Sequence, residues 1–386
     1  IKVDIAGAYD SLSHDSIHKA LRQWSTPQTT RSVKFLWRML TCTTLLFTVL
    51  GKTWRSRMQR GVVQGGTHSP GLFSQLLGIV MERLAHKWNM EGHEAAFQAD
   101  LFMLWSVWWV DDGVLMFRSM HQAALLFRQF LECASLLGLS INLAKCTVTS
   151  LQQPARMPEA LNGIQWKSSF TFLGLPMSIS YNAVIPAGAL NARAVAAFMS
   201  NGPLLVCKNA PLHVRLGLFN KLVLSTVRWV WACLAPNSAI LSSLRVQHIT
   251  LSVWLLGLRV HHGWYSPEML PAVRHIAKRF LLSLQGGYWD SMYLRSHWMW
   301  VGHVCRSQHL PLTTALILQD HRTLVDADKG LCRRSRTGPD NTGARLSLKF
   351  VQKCGLDLQQ VVQNRGAWFD LGSQWIAHCP CLLYTS

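Results

Sequence analysis

An apolar run from Leu101 to Phe117 is broken in its middle by Asp111-Asp112-Gly113. Asp-Gly between two apolar segments is a strong short-range signal for a β-hairpin. Burying an unpaired carboxylate is costly, so acids in such a hairpin are either turn residues that face water or ligands of a hard cation. The run therefore predicts two antiparallel strands with both acids at the tip of the hairpin.

Other segments predict a mixed α/β domain around this hairpin. Residues 1–5 read as a strand that contains Asp4. Helices are expected at residues 14–24, 69–88 and 121–137. Ser69 and Pro70 suit the N-cap and first position of the second helix, and Gly138 suits the residue after the third. With further strands at 45–50, within 139–150 and in a hairpin over 170–179, the order indicates an α/β (α+β) domain whose antiparallel sheet carries helices on one face.

Two strands of one sheet can bring Asp4 and Asp111 side by side. The two carboxylates would repel one another unless a divalent cation lay between them. Mg²⁺ is typically bound by one or two carboxylates together with substrate phosphates, so a site with few protein ligands is expected. For any one of these acids alone, a surface or turn role is the simpler interpretation.

The charge balance favours a polyanionic partner. The chain has 38 Lys and Arg against 19 Asp and Glu, which gives a net charge of +19 and a pI near 9.9. Such a surplus attracts nucleic acid, and an anionic membrane surface would also accept it. No window has the 18 or so charge-free apolar residues that a membrane span needs, so no membrane partner is expected.

Five segments follow one another along the chain: Asp4 to Asp10, Gln64 to Phe73, Trp109 to Asp112, Gly138 to Lys145 and Phe172 to Gly174. In this order they resemble the palm motifs of reverse transcriptases, and the closest resemblance is to non-LTR (LINE-like) retrotransposon enzymes. They cover residues 1–180. A later segment, Trp298 to Arg306, also recurs in such elements, although the sequence suggests no physical role for it.

The resemblance implies an RNA-directed DNA polymerase that transfers nucleotides from dNTPs to a DNA primer on an RNA template. It implies two Mg²⁺ ions, or Mn²⁺ in their place, held by Asp4 and Asp111 with the backbone carbonyl of Ile5. Asp112 matches the second acid of the pair, whose role in the family is more supportive, and it is included among the expected catalytic and metal-binding residues. A turn residue and a metal ligand remain the alternatives for each acid.

The resemblance also assigns residues around the nucleotide and primer. Tyr9 would exclude a ribose 2′-hydroxyl, Gln64 and Gly65 would line the nucleotide pocket, and Lys145 would protonate the departing pyrophosphate. Leu173 and Gly174 would steady the primer strand. Each has a plain alternative: a core ring, a surface glutamine, a loop glycine, a solvated lysine and an ordinary tight turn.

Two departures from the family pattern matter. Trp109 stands where the family usually has Tyr or Phe, so the packing of the hairpin is expected to differ. The chain also starts at the first palm motif, which suggests a fragment without fingers and with little activity by itself. A decayed element that only binds nucleic acid is the alternative function; an RNA-templated RNA polymerase is disfavoured by Tyr9.

The expected organisation is a partial right-hand polymerase. We predict a palm over residues 1–185, a helical thumb over 186–262 and a basic, mostly helical extension of unknown role over 263–386. The thumb interpretation is based on two apolar helical segments, at residues 211–234 and 239–258, and a basic thumb would grip duplex phosphates without reading sequence.

Overall fold

The structure is a computed structural model that describes residues 1–23, 26–63, 65–99, 102–179, 184–232, 234, 236, 238–258, 269–283, 288–307 and 345–384. The chain divides into two compact units, Ile1–Tyr181 and Asn182–Ser386. The predicted class, a palm-like α/β domain followed by a helical region, is confirmed. The predicted domain limits at residues 185 and 262 stay predictions.

The first unit contains twelve strands within the described residues. They are β1 Lys2–Ala6, β2 Thr44–Val49, β3 Lys52–Arg57, β4 Phe97–Ala99, β5 Phe102–Leu104, β6 Ser106–Trp109, β7 Asp112–Leu115, β8 Ser140–Ile141, β9 Thr147–Val148, β10 Gln165–Trp166, β11 Phe170–Phe172 and β12 Leu175–Met177. Its helices are α1 Ala8–Ser11, α2 His14–Gln23, α3 Thr30–Cys42, α4 Ser69–Met90 and α5 Met120–Leu136, with a 3₁₀ turn at Glu159–Leu161.

The main sheet has β1 in its centre. The strand order is β10-β9-β1-β7-β6, and β8 also pairs with β1. All of these pairs are antiparallel except β9 with β10, which is parallel, so the predicted antiparallel sheet has one parallel edge pair. Val3 and Ile5 of β1 are buried in the core that also holds side chains of α4 and α5. Side chains alternate along a strand, so Lys2 and Asp4 lie on the opposite face.

Local sequence signals explain how the long helices end. The N–H groups of Gly138 and Leu139 donate to the carbonyls of Ser135 and Ala134, with Gly138 at φ +80°, which is the Schellman arrangement. At the start of α4, Pro70 is the second helical residue, one position later than predicted. The prediction of Ser69 as N-cap is wrong: Ser69 is already helical, fully buried, and its hydroxyl donates to the Val63 carbonyl at 2.6 Å.

Within the described residues of the second unit, all regular elements are helices. Its helices are α6 Val184–Ser200, α7 Gly202–Leu205, α8 Leu212–Phe219, α9 Ser225–Trp231, α10 Ser238–Leu255, α11 Met269–Ser283, α12 Trp289–Arg306, α13 Arg345–Lys353, α14 Leu358–Gln363 and α15 Arg365–Tyr384; a π-helical turn, Asn220–Leu224, joins α8 to α9. In the described part of the chain, no helix combines the length and apolarity of a membrane span.

The segment Trp298 to Arg306 has a packing role in this unit. Trp298 and Trp368 stack with ring centroids 4.2 Å apart, and each indole N–H donates to the backbone carbonyl of the other residue at 2.8 and 3.1 Å. A Cβ atom on Gly302 would lie 2.2 Å from the Trp368 ring nitrogen, and one on Gly372 would lie 2.5 Å from the Trp298 ring. The motif therefore provides one of two glycine recesses for a reciprocal tryptophan pair, and α15 provides the other. His303, by contrast, is exposed.

Candidate active site

Strand β1 and the hairpin β6-β7 place two of the predicted acids directly opposite each other. The register of β1 against β7 pairs Asp4 with Asp112. Directly opposed residues have Cβ atoms about 4.5–5.5 Å apart and project from the same face of the sheet. Both side chains are partly exposed, 29% and 26%. We predicted that Asp4 would meet Asp111; its cross-strand partner is instead Asp112.

The tip of the β6-β7 hairpin lies two residues earlier than the Asp112-Gly113 signal indicated. Trp109 pairs with Asp112, so the two-residue turn consists of Val110 and Asp111, with Val110 at φ +57°. Asp112 and Gly113 belong to β7. A Cβ atom on Gly113 would lie 2.0 Å from the ring of Trp108 on the opposite strand. The glycine is therefore required by the tryptophan ring and not by the turn.

Asp112 is engaged by two groups of the protein. Its Oδ2 accepts a hydrogen bond from the backbone N–H of Leu173 at 3.0 Å. Its Oδ1 lies 3.1 Å from Lys2 Nζ, in a direction that makes a charge pair and not a hydrogen bond. The same ammonium is 4.0 Å from Asp4 Oδ1. Asp111, in contrast, is exposed.

Leu173 and Gly174 form the turn of the predicted hairpin. Phe172 pairs with Leu175, and the two central residues have φ +49° and +74°, as a type I′ turn requires. This hairpin was correctly predicted. Its contact with Asp112 could not be, because 61 residues of sequence separate the donor from the acceptor.

Tyr9 lies beside this group of acids. It follows Gly7, whose φ of +53° turns the chain from β1 into α1. The Tyr9 ring lies 5.7 Å from the ring of Phe73 in α4. Burial raises the pKa of the Tyr9 hydroxyl, and the negative charge of Asp111 raises it further. The ring thus packs partly against the core while its hydroxyl lies in the field of the hairpin acid.

The remaining predicted residues have no described contact with the acids. Lys145 is exposed in the turn between β8 and β9, and no described acid forms an ion pair with it. Gly65 is exposed at φ +84° in the loop before α4. Ile5 is buried on β1, opposite Ile141. Gln64 lies outside the described residues.

Two residues near the acids escaped the sequence analysis. Lys2 is one of them. Its position two residues before Asp4 places it on the same face of β1, so the sequence could have predicted that the two side chains are neighbours. Cys146 is the other: its sulfur accepts the Asp4 N–H at 3.4 Å. Burial raises the pKa of this thiol, while the hydrogen bond from Asp4 lowers it in part. No local sequence pattern indicated Cys146.

The donor chemistry of the acids fits a hard cation. Among the described residues, no group of three His, Cys, Asp or Glu side chains is arranged to hold a metal. Mg²⁺ does not need such a group, since one or two carboxylates with water and substrate phosphates satisfy it. Asp4, Asp111 and Asp112 offer such carboxylates, and Asp112 is also contacted by the Leu173 N–H and by Lys2.

Comparison with known proteins gives the class of the first unit. Residues 1–177 match the model of the family described as reverse transcriptase (RNA-dependent DNA polymerase). The first unit is therefore similar to a reverse transcriptase domain over these residues. No curated protein matches the chain significantly.

Solved structures match as well, eleven chains significantly. One is telomerase from Candida tropicalis in complex with the TWJ fragment of telomeric RNA, at 11% identity and a TM-score of 0.36. The match covers 86% of the present chain and 49% of the telomerase chain, so the present chain spans about half the length of that one.

Proposed function

We propose that this chain is part of an RNA-directed DNA polymerase of the non-LTR retrotransposon type, which extends a DNA primer with dNTPs on an RNA template. The observation that carries the proposal is the register that sets Asp4 opposite Asp112, with Asp111 at the adjoining turn. The match of residues 1–177 to the reverse transcriptase family supports it.

In the proposed site, Asp4, Asp111 and the Ile5 carbonyl would hold two Mg²⁺ ions, or Mn²⁺. When bound, such ions activate the attacking 3′-hydroxyl and stabilise the leaving oxygen of the phosphoryl transfer. Asp112 takes a positioning role, because the Leu173 N–H donates to its Oδ2 and the Lys2 ammonium lies 3.1 Å from its Oδ1. Its fixed carboxylate holds the base of the hairpin that carries Asp111.

Other residues of the chain act on the nucleotide and the primer. Tyr9 excludes a 2′-hydroxyl, and its packing on Phe73 gives the ring a fixed position for this role. Gln64 and Gly65 line the nucleotide pocket, and Lys145 donates a proton to the departing pyrophosphate. Replacing Tyr9 by Ala should therefore raise rNTP incorporation relative to dNTP incorporation, and an unchanged ratio would remove Tyr9 from this role.

The hairpin of Leu173 and Gly174 steadies the primer strand beside the acids. The hydrogen bond from the Leu173 backbone N–H to Asp112 Oδ2 links this hairpin directly to the strand that follows Asp111. A primer terminus that contacts the hairpin would therefore lie near the proposed metal ligands. This link supports the primer-grip role.

The second candidate function is nucleic-acid binding by a chain that has lost catalysis. The surplus of basic residues would serve it equally well. The presence of Asp4, Asp111 and Asp112 favours the polymerase, because unselected change would remove acids that are costly in an apolar strand.

The deciding experiment measures dNTP incorporation on an RNA template with a DNA primer and Mg²⁺. It compares this chain with the same chain preceded by the fingers segment of a related enzyme, which we expect to be far more active. Asp111→Ala should lower the rate by several orders of magnitude and leave template binding nearly unchanged. Retained incorporation in Asp111→Ala would refute the metal-ligand assignment. Template binding without incorporation in either wild-type form would favour the second candidate.

A further inference from the structure

One stretch of the first unit contains no acidic residue. Residues 16–81 include nine Lys and Arg but no Asp or Glu, so this stretch contributes +9 of the net charge of +19. The basic residues are Lys19, Arg22, Arg31, Lys34, Arg38, Lys52, Arg55, Arg57 and Arg60. A positive field without local acids attracts polyanions over several ångströms.

Helix α3 presents three of these cations as a stripe. Arg31, Lys34 and Arg38 follow helical spacing on one face, and all three are exposed. Phe35, 63% exposed, lies beside them. The other face holds the helix in place: Trp37 stacks on His18 of α2 with ring centroids 4.2 Å apart, and Leu40 is buried.

The ribbon of β2 and β3 continues this surface. All six residues of β3 are exposed. The register pairs Arg55 with Leu46 and Arg57 with Thr44, so the two arginines share one face of the ribbon. Trp54, 55% exposed, lies on the other face.

Two hydrogen bonds tie the ribbon to the end of α3. Arg57 Nε donates to the Thr41 carbonyl at 2.7 Å, and the Met58 N–H donates to the Thr43 carbonyl at 3.1 Å. Helix and ribbon therefore form one continuous element. We name it the basic element, defined as residues 30–58.

Large apolar side chains of the basic element are exposed, although packing them would stabilise its two-stranded ribbon. A two-stranded ribbon is marginally stable in water unless it packs against something. Here Leu46 is 64% and Trp54 is 55% exposed. No described carboxylate lies within ion-pair distance of Arg31, Lys34 or Arg38. Cations without nearby acids, in an element that also exposes an indole, match a phosphate backbone with unpaired bases, since base stacking on an aromatic ring contributes about 1–3 kcal/mol.

We propose that the basic element binds the sugar-phosphate backbone of single-stranded RNA, independently of sequence, with Trp54 stacking on a base. This rests on the proposed function, which supplies an RNA template, and it adds the place where the template strand is held. An anionic bilayer is the competing partner for such a surface. RNA is favoured because the element lies within the residues that match the reverse transcriptase family.

The test measures binding of the full chain to a labelled single-stranded RNA by fluorescence anisotropy over a range of salt concentrations. Arg31→Gln, Lys34→Gln and Arg38→Gln are combined in one variant. Each phosphate contact adds about 0.7 to the slope of log K against log salt for single strands. We expect the triple variant to bind at least tenfold more weakly at low salt, with a slope reduced by about 2.

The matched control removes the same charge from another surface of the unit. It combines Arg83→Gln, Lys87→Gln and Arg128→Gln, which lie exposed on α4 and α5. Lys87 and Arg128 each lie 3.6 Å from a glutamate four residues later. The control variant should bind RNA within about threefold of the wild type, because the glutamates already weaken the positive field of Lys87 and Arg128. Equal losses in both triple variants would refute the proposal, as would unchanged binding in the α3 variant.

A third variant, Trp54→Ala, tests the stacking. It should weaken binding to single-stranded RNA more than binding to duplex RNA, whose bases are not free to stack. An equal loss of binding to single-stranded and duplex RNA would refute the stacking of Trp54 on a base. Circular dichroism of each variant establishes that the fold is retained.

Two further readouts separate the alternatives. If the α3 variant loses binding to phosphatidylserine vesicles and keeps RNA binding, the basic element is a membrane surface and the proposal fails. The incorporation assay reports on the proposed function independently. Suppose that RNA binding depends on α3, but neither the chain alone nor the chain with a fingers segment incorporates dNTPs. That result would support the basic element and refute the proposed polymerase. Incorporation with RNA binding that does not depend on α3 would refute only the basic element.

Discussion

The backbone N–H of Leu173 donates to Oδ2 of Asp112 at 3.0 Å, which joins two hairpins that are 61 residues apart in sequence. The donor lies in a left-handed turn, and the acceptor is the first residue of β7. The geometry of the acids therefore depends on a turn that contains no acid. Changes in that turn should disturb the site without removing any of its charged groups.

Gly174→Ala should destabilise the chain by about 1–2 kcal/mol, because a residue with a Cβ atom at φ +74° is strained. Urea denaturation of the full chain measures the effect. Gly78→Ala in α4 is the control: no atom lies within 4 Å of the new Cβ, so the change should stabilise by about 0.5–1 kcal/mol. If Gly174→Ala leaves the free energy of unfolding unchanged, the turn does not need a residue without a Cβ atom at this φ.

Lys2→Met should expose the repulsion between Asp4 and Asp112, because the ammonium lies 3.1 Å from one and 4.0 Å from the other. We expect a loss on the order of 1 kcal/mol at neutral pH, since both acids are partly exposed. Mg²⁺ at millimolar concentration should raise the melting temperature more for Lys2→Met than for the wild type. Lys19→Met, at an exposed position on α2, should show neither effect. An equal response to Mg²⁺ in all three proteins would contradict a cation site at these acids.

Local chemistry allowed some of these features to be predicted from the sequence. The turn at Leu173-Gly174, the end of α5 at Gly138 and the start of α4 near Pro70 depend on neighbouring residues alone. The position of the β6-β7 turn, by contrast, does not depend on neighbouring residues alone. The Trp108 ring occupies the space over Gly113, which moves the turn to Val110 and Asp111 and gives Asp4 a different partner.

Other features of the site arise only when distant segments meet. Cys146 reaches the Asp4 N–H because β9 pairs with β1, and the sequence around the cysteine has no sign of it. Residues 52–57 form a strand, because β2 offers them a partner through a tight turn at Leu50-Gly51. The register between strands is set by packing across the sheet, which single-sequence patterns do not contain.

Gly302→Ala should be strongly destabilising to the second unit. The new Cβ atom would lie 2.2 Å from the Trp368 ring nitrogen and would force the indole out of its hydrogen bond with the Trp298 carbonyl. Overpacking of this kind costs about 1–3 kcal/mol. Gly188→Ala, in α6 with no atom within 4 Å, should instead be neutral or stabilising. Thermal unfolding of both variants measures the contrast, and similar melting temperatures would show that the recess is not needed.

Protonation of His248 should destabilise the second unit in mild acid. The ring is buried and stacks on Trp289 with centroids 4.8 Å apart. Its Nδ1 accepts a hydrogen bond from the backbone N–H of Trp289 at 3.2 Å. Burial lowers the pKa of His248 from 6.5 to about 3. The folded state therefore binds fewer protons than the unfolded state between these values, so its stability is full above pH 6.5 and falls as the pH is lowered towards 3. From pH 7 to pH 5 the loss attributable to this residue is about 2 kcal/mol.

His248→Gln should remove most of this pH dependence, because glutamine does not titrate. Urea denaturation at pH 7 and pH 5 gives the difference for the wild type and the variant. His303→Gln, at an exposed position on α12, should retain the wild-type pH dependence. Other groups titrate over the same range, so the decisive quantity is the difference between the two histidine variants. Parallel stability curves for His248→Gln and His303→Gln would contradict a neutral, buried His248, because only an unprotonated ring can accept the Trp289 N–H on Nδ1.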